Sequence, residues 1–151
     1  MILDEKLMRY VLFKKRTVKE VREKCRLLGF QDSYIDEIIE YLKENEYLDD
    51  EKYTMKYILN IVKLKKRSIQ EIRFDLMRRG IEEQIIEKYI TNDLYAFELK
   101  SAIELAKKKY KDCLDFIKVR KYLASKGYSR EVINKSIDYL NELGDNSIEI
   151  Y

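Results

Sequence analysis

An all-α chain built as a tandem array of three-helix modules is predicted by three observations. The 151 residues include no proline and only four glycines, while Leu, Ile, Lys and Glu, all good or tolerable helix formers, are abundant. A polar residue able to cap a helix stands twelve residues before a glycine three times, as Thr17 and Gly29, Ser68 and Gly80, and Asp115 and Gly127. The apolar stripe between them also repeats. Val18, Ile69 and Phe116 follow the cap by one, Val21, Ile72 and Val119 by four, and Cys25, Leu76 and Leu123 by eight. Beyond each glycine come Phe30, Ile81 or Tyr128, then Ile35, Ile86 or Ile133, then Ile39, Ile90 or Ile137. The glycines are 51 and then 47 residues apart, a period that accommodates about three short helices.

The first module, residues 1–47, opens with Leu3, Leu7, Met8, Val11 and Leu12 on a short helix closed by Lys14, Lys15 and Arg16. Thr17 and Glu20 make a capping box for a helix ending at Gly29, and Asp32 or Ser33 is expected to cap a third helix with inner residues Ile35, Ile38, Ile39 and Leu42. The middle module, residues 48–92, starts with Asp49 and Asp50 at a helix N-terminus, where a carboxylate can cap free N–H groups and meet the positive end of the dipole. That helix carries Tyr53, Tyr57, Ile58 and Ile61, is expected to reach Leu64, and leads into the cations Lys63, Lys65, Lys66 and Arg67. Ser68 with Glu71 repeats the capping box, and Gly80 with Ile81 leads into a helix bearing Ile85, Ile86, Tyr89 and Ile90.

The third module, residues 93–143, has a first helix through Leu94, Phe97, Leu99, Ala102, Ile103, Leu105, Ala106 and Tyr110, followed by the basic block Lys107, Lys108, Lys109 and Lys111. Asp115 caps the next helix, weakly because Lys118 stands where the box has glutamate, and Ser129 opens the last, with Val132, Ile133, Ile137 and Leu140 inside. Residues 144–151 read as an acidic tail with little periodicity, expected to be loosely ordered.

The residue inventory excludes most chemistry. No histidine is present, which removes His-dependent triads, histidine bases and the usual catalytic zinc sets. There is no glycine-rich phosphate loop and no Cys-x-x-Cys. Asp49 and Asp50 are adjacent, so on a helix they point about 100° apart and share a proton or a metal poorly. The chain therefore reads as a non-enzyme without cofactor or metal. Cys25 and Cys113 read as reduced thiols in a cytoplasmic protein, and no apolar run is long enough to span a membrane. The net charge of +3 from 31 basic and 28 acidic residues does not specify a nucleic-acid ligand; local arrangement must. Arg22, Arg73 and Arg120 recur five after each cap, on the flank of the stripe, where they can line an anion-binding surface or cover core edges with their methylenes.

In this combination the sequence resembles the RecX family, regulators of the bacterial recombinase RecA. Arg16-Thr17 through Gly29, Leu48-Asp49-Asp50 with Tyr53, Lys66-Arg67-Ser68 through Gly80-Ile81, and Tyr122-Leu123 with Lys126-Gly127-Tyr128 carry the resemblance over nearly the whole chain. Tyr53 replaces phenylalanine, Cys25 replaces leucine, and a glycine usual near Lys65 and Lys66 is missing. The resemblance implies an elongated, curved row of modules, a monomer, that binds the RecA filament on single-stranded DNA. It further implies inhibition of ATP hydrolysis and strand exchange, with weak direct DNA contact in some members. Asp49, Asp50, Tyr53, Gly80 and Ile81 are then signature residues. Lys63, Lys66, Arg67, Arg73, Lys107, Lys108, Lys109 and Arg120 are the expected filament-binding residues, since they recur at equivalent places and the implied partner is polyanionic. A DNA-binding module acting alone is the main alternative, against which stand the acidic residues Asp36, Glu37, Glu40, Glu44, Glu83 and Glu87 on its would-be recognition helices. A scaffold for another helical protein is the other.

Overall fold

The computed structural model describes residues 1–64, 66–111 and 115–149, and every regular element among them is an α-helix. In chain order these are α1 (Glu5–Phe13), α2 (Val18–Leu27), α3 (Asp32–Glu44), α4 (Asp50–Leu64), α5 (Ile69–Arg78), α6 (Glu83–Lys88), α7 (Asn92–Lys109), α8 (Phe116–Ser125) and α9 (Arg130–Glu149). Residues group into two compact units, one of 1–57 with 75–89 and the other of 58–74 with 90–151, so that α4 and α5 each contribute to both. No described helix is long and apolar enough to cross a membrane.

The spacing from cap to glycine measures α2, α5 and α8. Thr17 accepts the Glu20 N–H at 3.2 Å, Ser68 the Glu71 N–H at 3.2 Å, and Asp115 the Ile117 and Lys118 N–H groups at 3.0 and 3.4 Å. At the other end Gly29, Gly80 and Gly127 have φ of 86°, 86° and 88°. In each case the residue after the glycine donates to the carbonyl five before it: Phe30 to Cys25, Ile81 to Leu76, Tyr128 to Leu123. This pairing satisfies carbonyls that the helix end would otherwise leave open, in a backbone region where a Cβ is strained.

Within the first unit, Leu7 and Val11 of α1, Val21 and Cys25 of α2, and Ile35, Ile38, Ile39 and Leu42 of α3 close a core with Leu48. Each of the four α3 side chains is essentially fully buried, worth about 1.5–3 kcal/mol apiece relative to exposure. The second unit repeats this with Ala102 and Ala106 of α7, Val119 and Leu123 of α8, and Tyr128, Ile133, Ile137 and Leu140 on and before α9. Alanines on α7 stand where larger residues serve in α1, while Tyr128 supplies bulk and donates to or accepts from Ser101 at 2.6 Å. Burial pushes the Tyr128 phenol up to about 12.

Three expectations change, and one left-handed turn enters that the sequence did not announce. Neither Asp32 nor Ser33 caps α3: the cap position is Gln31, without a side-chain bond, because the helix already includes Asp32, whose carboxylate instead lies 3.7 Å from Arg26. Leu12 is exposed, at the end of α1 where the stripe has turned away from the core. The helix ending at α3 uses Glu46, at φ 63°, for the left-handed position taken elsewhere by glycine. Finally, α9 continues through Gly144 to Glu149 where a tail was expected. A glycine without a left-handed closing turn costs a helix only about 1 kcal/mol and does not end it. Lys65, Cys113, Ile150 and Tyr151 lie outside the described residues.

Candidate functional site

The five signature residues come together in the first unit, and their roles there are architectural. Asp49 caps α4 by accepting the Lys52 N–H at 3.1 Å. Asp50 turns to α2 and accepts the Val18 N–H at 3.0 Å. Thr17, fully buried, accepts from its own helix and donates its hydroxyl proton to the Arg79 carbonyl at 2.7 Å. Gly80 follows directly; a Cβ there would stand 2.4 Å from the Lys19 Cβ. Ile81 is buried beneath the turn. The aspartate pair is thus divided: one carboxylate starts its own helix and the other ties down the neighbouring one. Burial pushes the Asp50 carboxyl up, with the Val18 N–H and Lys43 opposing.

The same joint recurs in the second unit with different residues. Ser68, fully buried, donates to the Lys126 carbonyl at 2.8 Å, ahead of Gly127. The Ile69 N–H donates to Glu98 of α7 at 2.6 Å, and a Cβ on Gly127 would stand 2.9 Å from the Ser68 Oγ. Burial raises the Glu98 carboxyl, against the Ile69 N–H and the Arg73 charge.

Around the first joint lies a cluster that sequence reasoning missed. The Tyr53 hydroxyl accepts from Arg79, whose guanidinium also lies 5.3 Å from the Tyr57 ring centroid, and the Tyr57 hydroxyl donates to Asp75. Tyr53 therefore finds a partner for the hydroxyl that phenylalanine lacks. Burial pushes the Asp75 carboxyl up, but Tyr57, Arg78 and Arg79 outweigh it and hold it below the ordinary range. Its only sequence signal is the four-residue spacing of Asp75 and Arg79 and of Tyr53 and Tyr57.

All eight basic candidates belong to the second unit, in three groups. Lys63 and Lys66 share a cleft of about 270 Å³ with Phe97, Lys100 and Glu104, and Lys66 lies 3.5 Å from Glu104. Lys100, three after Phe97 on α7 and so on its face, is the cation that sequence reasoning missed. Arg67 and Arg73 are half-buried, Arg73 near enough to Glu98 to oppose its raised pKa. Lys107 lies 5.4 Å from the Tyr139 ring and Lys109 4.7 Å from the Tyr122 ring, with Lys108 exposed between them. Arg120 donates to Asn134 at 2.7 Å, bridging α8 to α9 just as Arg22 bridges α2 to Asp36 of α3 at 2.7 Å. Arg22 and Arg120 thus tie neighbouring helices together. Among the described residues no group of three or more His, Cys, Asp or Glu is arranged to hold a metal.

No family model matches the chain. Over 130 residues it is 35% identical to the regulatory protein RecX of Clostridium beijerinckii, covering 81% of this chain and 60% of that protein. The regulatory protein RecX of Clostridium perfringens strain 13 is 35% identical over 124 residues, covering 82% and 57%. The chain thus spans about 60% of the length of the curated relatives it matches. The crystal structure of RecX from Lactobacillus salivarius superposes with a TM-score of 0.79 at 26% identity, covering 90% of this chain and 92% of that one. A second crystal structure of a regulatory protein RecX, 22% identical with a TM-score of 0.78, shares the fold.

Proposed function

Since the chain belongs to the RecX family, we propose that it regulates the recombinase RecA by binding its filament on single-stranded DNA and restraining ATP hydrolysis and strand exchange. The observation that carries this reading is the cleft beside the end of α4, where Lys63, Lys66 and Lys100 meet the single carboxylate of Glu104. An excess of exposed positive charge at a concave surface attracts a polyanionic assembly and steers its approach. Arg67, Arg73, Lys107, Lys108, Lys109 and Arg120 extend the proposed contact set. Arg73 and Arg120 are the weaker members because their guanidiniums serve internal partners.

The test is recombinase ATP hydrolysis on single-stranded DNA, with and without this protein, at two salt concentrations and with the salt effect on free recombinase subtracted. The parent should lower the rate. Changing Lys63, Lys66 and Lys100 together to Gln should leave helicity and melting nearly unchanged, since all three are exposed, yet weaken inhibition, the difference shrinking as salt rises. A folded triple variant that inhibits as strongly as the parent at both salts removes this cleft from the filament contact.

A further inference from the structure

Each joint divides into a giving half and a receiving half. The giving half is a cap hydroxyl and the N–H after it, Thr17 with Val18 in the first unit and Ser68 with Ile69 in the second. The receiving half is the carbonyl before a left-handed glycine, that of Arg79 or Lys126, and a carboxylate on another helix, Asp50 or Glu98. The residue two after the cap completes the contact by lying across the glycine. A Cβ on Gly80 would meet Lys19, and one on Gly127 would stand 3.1 Å from the Gln70 Oε1. Lys19 also donates from its Nζ to the Arg78 carbonyl at 3.2 Å.

A third receiving half occurs in the first unit. Gly29 holds the left-handed turn at φ 86°, and a Cβ there would have no atom within 4 Å. Among the described residues no hydrogen bond reaches the carbonyls of Leu27 or Leu28, the counterparts of Arg78 and Arg79. The carboxylate is present too. Glu5 follows Asp4, the cap of α1, as Asp50 follows Asp49, the cap of α4. It pairs with Arg9 at 2.9 Å, with both side chains at least three-quarters exposed, and an incoming N–H displaces such a pair at little cost.

Electrostatics select what this half receives. The carbonyl end of α2 is the negative pole of its dipole and Glu5 adds a full negative charge, so the complement is a helix N-terminus, whose N–H groups point outward at the positive pole. A hydroxyl cap there accepts from its own helix and still has a proton for the Leu28 carbonyl, as Thr17 and Ser68 show at the other two turns. The chain's own middle helices do not qualify. Thr17 and Ser68 are engaged in the joints, and Asp115 would meet the Leu28 carbonyl oxygen to oxygen.

We propose that the turn at Leu28 and Gly29, with Glu5, is a docking site for a partner's helical module, engaged by the N-terminus of a helix capped with serine or threonine. The cap hydroxyl donates to the Leu28 carbonyl, the next N–H donates to Glu5, and the side chain two after the cap covers Gly29. The site does not depend on recombinase regulation, and its test contains no recombinase.

The chain itself supplies the probe. Asp115→Ser gives α8 a hydroxyl cap of equal capping strength, and Ile117, two after it and 68% exposed, becomes the side chain that covers the glycine. Combined with Gly29→Ala, whose methyl fills the space at the turn, this donor can give a joint but not receive one; the parent can receive but not give. Sedimentation of the mixture should show a one-to-one complex with a Kd on the order of 100 μM. In the amide spectrum of labelled parent, Gly29 and Phe30 should shift most. Asp115→Ala in the donor, or Glu5→Ala in the receiver, should weaken the complex about tenfold, and Gly29→Ala in the receiver should abolish it. Asp115→Ser alone should form head-to-tail chains whose mean mass rises with concentration. Circular dichroism checks that each variant is folded; if Gly29→Ala is not, Asp115→Ser as sole donor and Glu5→Ala as receiver still decide the matter. An Asp115→Ser chain that stays monomeric up to about 1 mM, an Asp115→Ala donor as effective as the serine, parental affinity in Glu5→Ala, or shifts centred away from the Gly29 turn would each overturn the proposal.

Discussion

The two joints make the same bonds from different material. In the first unit the hydroxyl of Thr17 reaches the Arg79 carbonyl and the carboxylate of Asp50, the first residue of α4, takes the Val18 N–H. In the second the hydroxyl of Ser68 reaches the Lys126 carbonyl and Glu98, well inside α7, takes the Ile69 N–H. A longer side chain farther along its helix delivers an oxygen to the equivalent place. What is kept from one copy to the next is therefore a set of donors and acceptors, and the residues that supply them drift. The same holds for the glycines. Gly29 carries the left-handed turn in open space, whereas Gly80 and Gly127 carry the same turn against a neighbouring helix.

The largest expected effects separate these glycines. Gly29→Ala should cost about 1–2 kcal/mol, the strain of φ alone. Gly80→Ala adds a backbone-proximal clash with the Lys19 Cβ at 2.4 Å and should cost about 3 kcal/mol or more, with Gly127→Ala between them. Equal losses in urea unfolding would show that the close approach at Gly80 is relieved without effort. Next come the hydroxyls. Thr17→Val and Ser68→Ala each remove a cap and strand a carbonyl, and should cost about 2 kcal/mol, while Thr17→Ser retains most of the stability. If Thr17→Val melts like the parent, the joint is incidental. Asp49→Ala should lose about 0.5–2 kcal/mol and Asp49→Asn recover much of it, a test of capping independent of the joint.

The smallest effect has a sign. The raised Glu98 carboxyl is protonated more readily in the folded state than in the unfolded chain. Its favourable contribution is complete below the unfolded pKa and is lost as pH rises through the raised folded value. Glu98→Gln, which retains an oxygen for the Ile69 N–H, should therefore gain on the parent as pH rises from about 4 towards neutrality. Asp75 is held low and acts oppositely: its contribution is present above the unfolded carboxylate pKa and lost as pH falls through the lowered value, so Asp75→Asn should flatten a loss of stability on the acid side. Unfolding free energies across that range would show opposed pH trends for the two substitutions; parallel trends would contradict the assignment of one charge as desolvated and the other as paired.

The all-helical fold was legible because its signals are local. A cap, a stripe and a glycine twelve residues on are all spoken within one helix, and α2, α5 and α8 lie where they point. The joints were not, because Thr17 and Arg79 are 62 residues apart and Ser68 and Lys126 are 58 apart. Nothing in the sequence distinguishes a hydroxyl that only caps from one that also donates outward. Burial is the missing information, and it also hid Glu98, which in an α7 full of charges looks like a solvent-facing residue. The Asp49 cap was foreseeable from position; that Asp50 would serve another helix was not. Among the basic residues, sequence clustering found Lys63 and Lys66 but passed over Lys100, which joins them through space, and it could not tell that Arg120 is occupied by Asn134.

Asp115 occupies the third cap position with a carboxylate, which accepts the N–H groups of α8 as Thr17 and Ser68 accept theirs. An ionised carboxylate has no proton to hand on. A hydroxyl-capped copy is bilingual, taking a bond from its own helix and giving one to its neighbour, whereas the carboxylate-capped copy only takes. Gene duplication of residues 48–92 would thus produce a copy already equipped to receive a successor. Duplication of residues 93–143 would produce one that is mute at the joint until Asp115 became serine or threonine. The grammar of the repeat, and with it the order in which copies can follow one another, is held in whether one side chain carries a hydrogen.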